Sequence, residues 1–375
     1  MKQKLLKLSQ KYFNVVSTQA NLTDLRPLKL LNEVGRSLAD IISEMSNTLD
    51  KVCQVNFEVK PSRYPFPTVV SPRQLTDKKD IILPDLLTTD AKLYTFTGIH
   101  SIDLLDGLVD CVSDLVVDTP TNKKILSLRD RLILTMAKIK LNVNFTAIAV
   151  LFNISRQTCS NYFKDTIPIL SRVLKVMIPW PDQEIVRKNL PLSFKKYEST
   201  RIILDCAETV IEKCKCLKCR VLTYSQYKKN HTVKFDVGIT PSGLIIEISY
   251  AFGGRASDKF IVNKTGVLDK LDFYDGVMVD KGFRIEVECL QRNLRLIRPP
   301  FLSQKQQMNR TDALSTADIA RARVHVERVI QRLREFELLK GPVPWPLAHY
   351  FDDILIIAAG LTNLGAPIIN IDKFM

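Results

Sequence analysis

Long apolar runs are missing from this chain. The longest late one, ILIIAAGL at 354–361, falls far short of the roughly 20 residues a helix needs to span a bilayer. The opening MKQKLLKLSQKYF lacks the continuous apolar stretch and small-residue cleavage site of an export signal, so an intracellular protein without membrane association is expected. No internal repeat on the scale of roughly 20 to 50 residues is present, which argues against a solenoid or propeller. Paired CxxC knuckles are also absent. The 8 cysteines of an intracellular chain read as thiols rather than disulfides. Four of them, Cys206, Cys214, Cys216 and Cys219 in DCAETVIEKCKCLKC, can in principle supply zinc, but no histidine lies near them before His231. Acidic residues are the scarcer charge: Lys+Arg 54 against Asp+Glu 40 gives +14 and a pI near 9.3, a balance that favours a polyanionic partner such as nucleic acid.

What is present suits a globular protein of two or three domains, with 375 residues of which 46% are hydrophobic. Residues 1–95 read as an N-terminal arm and linker, with a helix around SLADIISEMSNTLDKVC and an irregular proline-containing stretch, VKPSRYPFPTVVSPRQL. Residues 96–180 read as all helical. Leu104, Leu105, Leu108, Val112 and Leu115 form one apolar face, and LSLRDRLILTMAKIKL supplies a second. Next come NFTAIAVLFNI and SRQTCSNYFKDTIPILSRVLKVM, joined by a tight Asn153-Ile154 turn, with Ser155 as N-cap of the second segment. Two short helices around such a turn predict a helix-turn-helix, although a plain helical bundle carries the same pattern. In the first geometry Arg156, Gln157, Ser160 and Asn161 occupy the exposed first turns of a recognition helix and offer donors and acceptors to base edges.

A proline- and charge-rich connector follows at 181–200, after which the character changes to strands. RIILDCAE at 201–208, TVKFDVGIT at 232–240 and LIIEISYAFG at 244–253 are β-rich, with Pro241, Ser242 and Gly243 turning between the last two. A helical stretch from Lys259 to Leu271 leads to two further strands in YDGVMVDKGF and LRLIRPP, and then to a helix in ARARVHVERVIQRLREF. The order predicts an α/β domain at 201–364 with a mixed sheet and flanking helices, and a tail at 365–375. In the last helix Ile319, Ala322, Val326, Val329, Leu333 and Phe336 mark the buried seam; Glu327 lies off it, on a flank with Arg323 and Arg334. A solvated ion-pair cluster would account for that flank.

Asp205 and Asp280 each end an apolar strand, in IILD and GVMVD. A carboxylate there is costly to bury unless it is paired or binds a cation. Hard divalent ions prefer oxygen ligands, and a pair of them can clamp the attacking and leaving oxygens of a phosphodiester. Asp205, Asp280 and Glu327 are candidates for such a set. Glu208, Asp236, Asp258 and Asp275 compete on composition alone, and Asp280-Lys281-Gly282 is also a good turn sequence.

Over roughly residues 92–364 the chain resembles DDE-superfamily transposases of the PIF/Harbinger type, most closely the catalytic region of THAP-domain transposase-like proteins. The resemblance is carried in order by FTAIAVLFNISRQTCSNYF, WPDQEIVRKNLPLSF, LDCAE, YSQYKKNHTVKFDVGITPSG, GGRASDKFI, VMVDKGF, RPPF and RVHVERVIQRLREFELLKG. It implies a ribonuclease-H-like fold in which the first and fourth strands are neighbours. It places the catalytic and metal-binding triad on Asp205, Asp280 and Glu327, and brings the arginines around Glu327, among them Arg323 and Arg334, to DNA phosphates. Two departures stand out. No Cys-His framework of a THAP domain precedes Cys53, and the usual Gly-Asp before the second aspartate's strand reads Asp275-Gly276.

The implied activity is a nuclear, Mg²⁺- or Mn²⁺-dependent endonuclease and strand transferase, with two ions, that cuts transposon ends by hydrolysis and joins them to target DNA by transesterification. Its partners would be double-stranded DNA, an accessory DNA-binding protein in place of the missing module, and further copies of the chain. A host-adopted nuclear factor that binds DNA or protein without cutting is the alternative, and an unrelated helical adaptor is a third class that the strands around Asp205 and Asp280 disfavour.

Overall fold

The computed structural model describes residues 81–115, 125–300 and 310–368. The expected N-terminal helix, the proline-containing stretch and the end of the tail lie outside the described residues.

After a short four-residue helix at Leu83–Leu86, five longer helices build the first region: α1 (Asp90–Thr97), α2 (Ile102–Ser113), α3 (Leu128–Leu141), α4 (Phe145–Leu151) and α5 (Arg156–Lys175). Each starts on a side-chain cap, from Thr89, Ser101, Ser127, Asn144 and Ser155 in turn. Such caps satisfy amide donors that have no partner within the helix, at about 1 kcal/mol each. Asn153 takes φ 49°, the left-handed conformation that lets the chain reverse between α4 and α5. The expected turn and cap are therefore present, but α5 is longer than a short recognition helix and runs on through Pro168. Helix α3 is buried continuously from Arg131 to Ile139, because α1, α2, α4 and α5 surround it.

After a connector holding α6 (Gln183–Lys188), the sheet forms from β1 (Thr200–Val210), β2 (Tyr224–Ser225), β3 (Asn230–Ile239), β4 (Ile245–Ile248), β5 (Phe252–Gly253), β6 (Gly276–Met278) and β7 (Arg295–Ile297). Its order is β2-β3-β1-β6-β7, with β4 and β5 also paired to β3. The strands around β3 are antiparallel, whereas β1–β6 and β6–β7 are parallel. This is the mixed, ribonuclease-H-like arrangement with the expected neighbours side by side. One expected strand is divided: 244–253 splits into β4 and β5, which meet β3 in separate registers. The backbone N–H of Asp236 donates to the Ser249 hydroxyl between them. The expected 259–271 helix ends earlier. Gly266, at φ 64°, closes it, and a 3-10 turn follows.

Helices α7 (Leu217–Thr223), α8 (Asp258–Thr265), α9 (Glu286–Gln291), α10 (Arg310–Leu333) and α11 (Phe351–Asn363) complete the fold. Strand alternation sends Ile203, Ala207 and Met278 into the core beneath α10 and α11, and Ile202, Leu204, Val277 and Val279 into a second core with α8 and α9. The first core is continuous with the helical region. Leu132, Leu170, Val237, Val326 and Ile357 all belong to it, and α11 packs directly on α5. The apolar seam of α10 is where its spacing puts it, with Ile319, Ala322, Val326, Val329, Leu333 and Phe336 all buried.

Candidate active site

The same alternation sorts the competing acids. Asp205 follows Ile203 by two residues and Asp280 follows Met278 by two, so both aspartates belong to the face covered by α10. Glu208 and Asp236 are on the opposite face with Cys206, and Asp258 and Asp275 also sit on that side. Each of the four has a structural partner. Glu208 accepts from the Thr232 hydroxyl and lies 3.8 Å from Lys234, which itself pairs with Asp258. Asp275 is fully buried against Arg201 and accepts from Gln183 and the Asp272 amide, anchoring the connector. Gly276 beside it permits the close strand approach: a Cβ there would stand 2.8 Å from the Ser199 carbonyl oxygen. The Asp275-Gly276 order thus serves packing. Asp236 is buried with one oxygen unpartnered and the Cys206 thiol 3.9 Å from the other; burial raises its pKa well above the ordinary value.

Asp205 and Asp280 are brought together by Arg323 from α10. One guanidinium nitrogen donates to Asp280 at 2.9 Å, and the other is 3.7 Å from Asp205. Arg323 is only 9% exposed, so it faces inward. The expected phosphate contact at this position thus competes with two carboxylates beneath the helix, the half-buried Asp205 and the exposed Asp280, which hold the guanidinium by charge-assisted contacts. One turn further along, Glu327 is exposed and has no ion pair to a described residue, so the alternative reading of an ion-pair cluster with Arg323 and Arg334 finds no such pair. It borders an open cleft of about 240 Å³ lined by Asp205, Cys206, Ala207, Glu327, Ile330, Gln331 and Arg334. Burial is the largest cause holding the Asp205 carboxyl up to about 6; Arg323 opposes this, while Asp280 and Glu327 add to it.

Among the described residues no three His, Cys, Asp or Glu side chains are gathered closely enough to hold a metal ion. This applies to the triad, whose aspartates are bridged by Arg323, and to the four cysteines. Cys206 lies on β1 against Asp236, while the Cys214 thiol donates to the Cys216 carbonyl at the start of α7. In the helix-turn-helix, Arg156, Gln157 and Asn161 are exposed and Ser160 is half-buried. Gln157 donates to Asn161 at 3.0 Å, so these two amides form one unit on the surface. Sequence alone did not point to Arg323 as the bridge or to Ile330 and Gln331 as cleft walls; the i, i+4 spacing of Arg323 and Glu327 was the available signal.

The fold thus sets Asp205 and Asp280 on one face of a mixed sheet, Glu327 on the helix covering that face, and a helix-turn-helix upstream. Residues 204–363 match the family model described as DDE superfamily endonuclease, and residues 124–175 match the one described as helix-turn-helix of DDE superfamily endonuclease. The first match contains Asp205, Asp280 and Glu327; the second contains the α4–α5 turn. No curated protein and no solved structure gives a match. Among the described residues no helix is long and apolar enough to cross a membrane.

Proposed function

We propose that the chain is a metal-dependent DNA endonuclease and strand transferase of the PIF/Harbinger type that acts on transposon ends in the nucleus as an oligomer. The observation that carries this is the convergence of Asp205 and Asp280, from adjacent parallel strands, on the face over which α10 presents Glu327. The donor set fits a hard divalent cation. All three groups offer oxygen, and the half-buried Asp205 lies among like charges that already recruit a cationic side chain. Asp205, Asp280 and Glu327 would hold Mg²⁺ or Mn²⁺, with two ions as the proposed number. When bound, the metal supplies positive charge to the phosphodiester oxygens and lowers the pKa of water. Arg323 keeps the aspartates together and neutralised, and Arg334 at the cleft edge offers a cation to the DNA backbone. The α5 helix supplies sequence preference from Arg156, Gln157, Ser160 and Asn161. An accessory DNA-binding protein would add to it.

The inward Arg323 also suits a host-adopted factor that keeps the fold without cutting, since a bridged carboxylate pair needs no metal for stability. Glu327→Gln separates the two. It preserves volume and helix propensity while removing the anionic charge, so the variant is expected to fold, bind DNA and lose nearly all cleavage of transposon-end DNA with Mg²⁺ or Mn²⁺. The thermal stabilisation gained on adding metal should shrink with it. Parental cleavage by Glu327→Gln would return this glutamate to a surface role, and a parent inert on such DNA would favour the non-cutting factor.

A further inference from the structure

Between β1 and β3 the chain forms a lobe, residues 212–229, that includes α7 and the short β2 and is largely exposed, with Cys214, Cys219, Thr223 and Ser225 buried beneath it. It carries 6 Lys or Arg residues against 1 acid, Glu212. Glu212 is already engaged, because its carboxylate accepts from the Trp345 amide at 3.0 Å. Arg220 is engaged too, donating to the Cys214 carbonyl at 2.7 Å. The five lysines form no ion pair with a described residue. Elsewhere on the surface lysines such as Lys196, Lys259 and Lys270 are paired with carboxylates. Unpaired cations concentrated in so short a stretch repel one another unless a polyanion lies against them.

Aromatic and apolar groups are interleaved with these cations. Tyr227 is 83% exposed and Leu217 73%, and Lys228 lies 4.9 Å from the Tyr227 ring centre. The lobe is nevertheless built as a firm platform. The Glu212 amide donates to the Val343 carbonyl, and the Arg255 amide to the Leu222 carbonyl. Gly253 approaches so closely that a Cβ would stand 2.3 Å from the Leu222 oxygen. The lobe begins seven residues beyond Asp205, which at the spacing of an extended strand is about 23 Å. That is about two-thirds of a helical turn of duplex DNA.

We infer that this lobe is a second DNA-contact surface, separate from the α5 helix. Lys213, Lys215, Lys218, Lys228 and Lys229 hold backbone phosphates there, about two-thirds of a turn from the scissile position, and Tyr227 packs on the sugar or an unpaired base. The inference deepens the DNA-cutting function proposed above and rests on it for the identity of the polyanion.

The test is binding of the full chain to a labelled random-sequence duplex across a salt titration. The triple variant Lys213→Gln, Lys215→Gln, Lys218→Gln should keep the parental melting temperature. Its slope of log affinity on log salt should be shallower by about 2.7, from about 0.9 per phosphate contact, so its loss between 50 and 200 mM salt would be about 40-fold smaller. Lys228→Gln with Lys229→Gln should act in the same direction by about 1.8. Tyr227→Ala should weaken affinity with little change in slope. Slopes within about 0.5 of the parent's in both lysine variants overturn the inference. So does a change in oligomeric state at unchanged DNA binding, which would make the lobe a protein interface. If the lysine variants bind as the parent does while Glu327→Gln still abolishes cleavage, only the lobe assignment falls. A parent that binds no duplex overturns both.

Discussion

Asp352, at the start of α11, shows what a single half-buried carboxylate does to this fold. It accepts the Ala251 amide at 2.7 Å, and its pKa is up at about 6 because burial outweighs that hydrogen bond, with Asp353 adding to the rise. A carboxyl held higher in the folded state than in the unfolded chain contributes stability below the unfolded pKa. That contribution is lost as pH rises through about 6. Asp352→Asn keeps an oxygen for Ala251 and removes the titration. Its stability relative to the parent should therefore improve between pH 4 and 7.5, by at most about 3 kcal/mol. Denaturant unfolding at the two pH values checks this; an identical difference at both would show that the charge state of Asp352 is not what limits stability there. At this scale the sequence was informative where chemistry and pattern coincide. Apolar strands ending in Asp205 and Asp280, and a glutamate off the α10 seam, were readable as candidates. Glu208, Asp236, Asp258 and Asp275 could not be dismissed until strand pairing assigned them to the other face, and the inward turn of Arg323 depends on which carboxylates lie beneath α10.

The elements follow local rules closely. Five Ser, Thr or Asn caps start α1 to α5, and Asn153 at positive φ makes the four-residue turn between α4 and α5. These signals sit in neighbouring residues, so the helix-turn-helix was legible from sequence. Strand ends were less so, since the extents of β4, β5, β6 and β7 are set by partners far along the chain. The α5 assignment makes its own prediction. Arg156 and Asn161 are exposed on its first turns, so Arg156→Ala and Asn161→Ala should each reduce preference for the cognate duplex over a random one, by about 1–3 kcal/mol where the contact is bidentate. Their melting temperatures should stay near the parent's. Competition binding with both duplexes measures it, and an unchanged ratio in both variants would remove α5 from the major groove.

At the scale of the whole molecule, helical region and sheet fold onto one core. Leu132 and Leu170 share it with Val237 and Ile357, and Gly360 of α11 lets α5 approach so closely that a Cβ would stand 2.7 Å from the Leu174 carbonyl oxygen. Asn363 ties three segments. It donates to the Met177 carbonyl just after α5 and to the Ile245 carbonyl of β4, both at 2.8 Å, and accepts the Ile245 amide at 3.0 Å. A boundary drawn between residues 180 and 201 from the change in sequence pattern thus marks a change of secondary structure while the apolar packing continues across it. Packing of this kind is invisible to local pattern, because α11 lies far from α5 in sequence. It follows that the described regions should unfold together, with calorimetric and van't Hoff enthalpies in agreement. Asn363→Ala leaves part-buried groups of two segments without partners and is expected to cost about 2–3 kcal/mol, lowering the melting temperature by about 5 °C. The single transition should move as a unit. If scanning calorimetry instead resolves two transitions and Asn363→Ala shifts only one, the helix-turn-helix and the sheet are thermodynamically separate, and strain from DNA bound at α5 has no rigid path to Asp205.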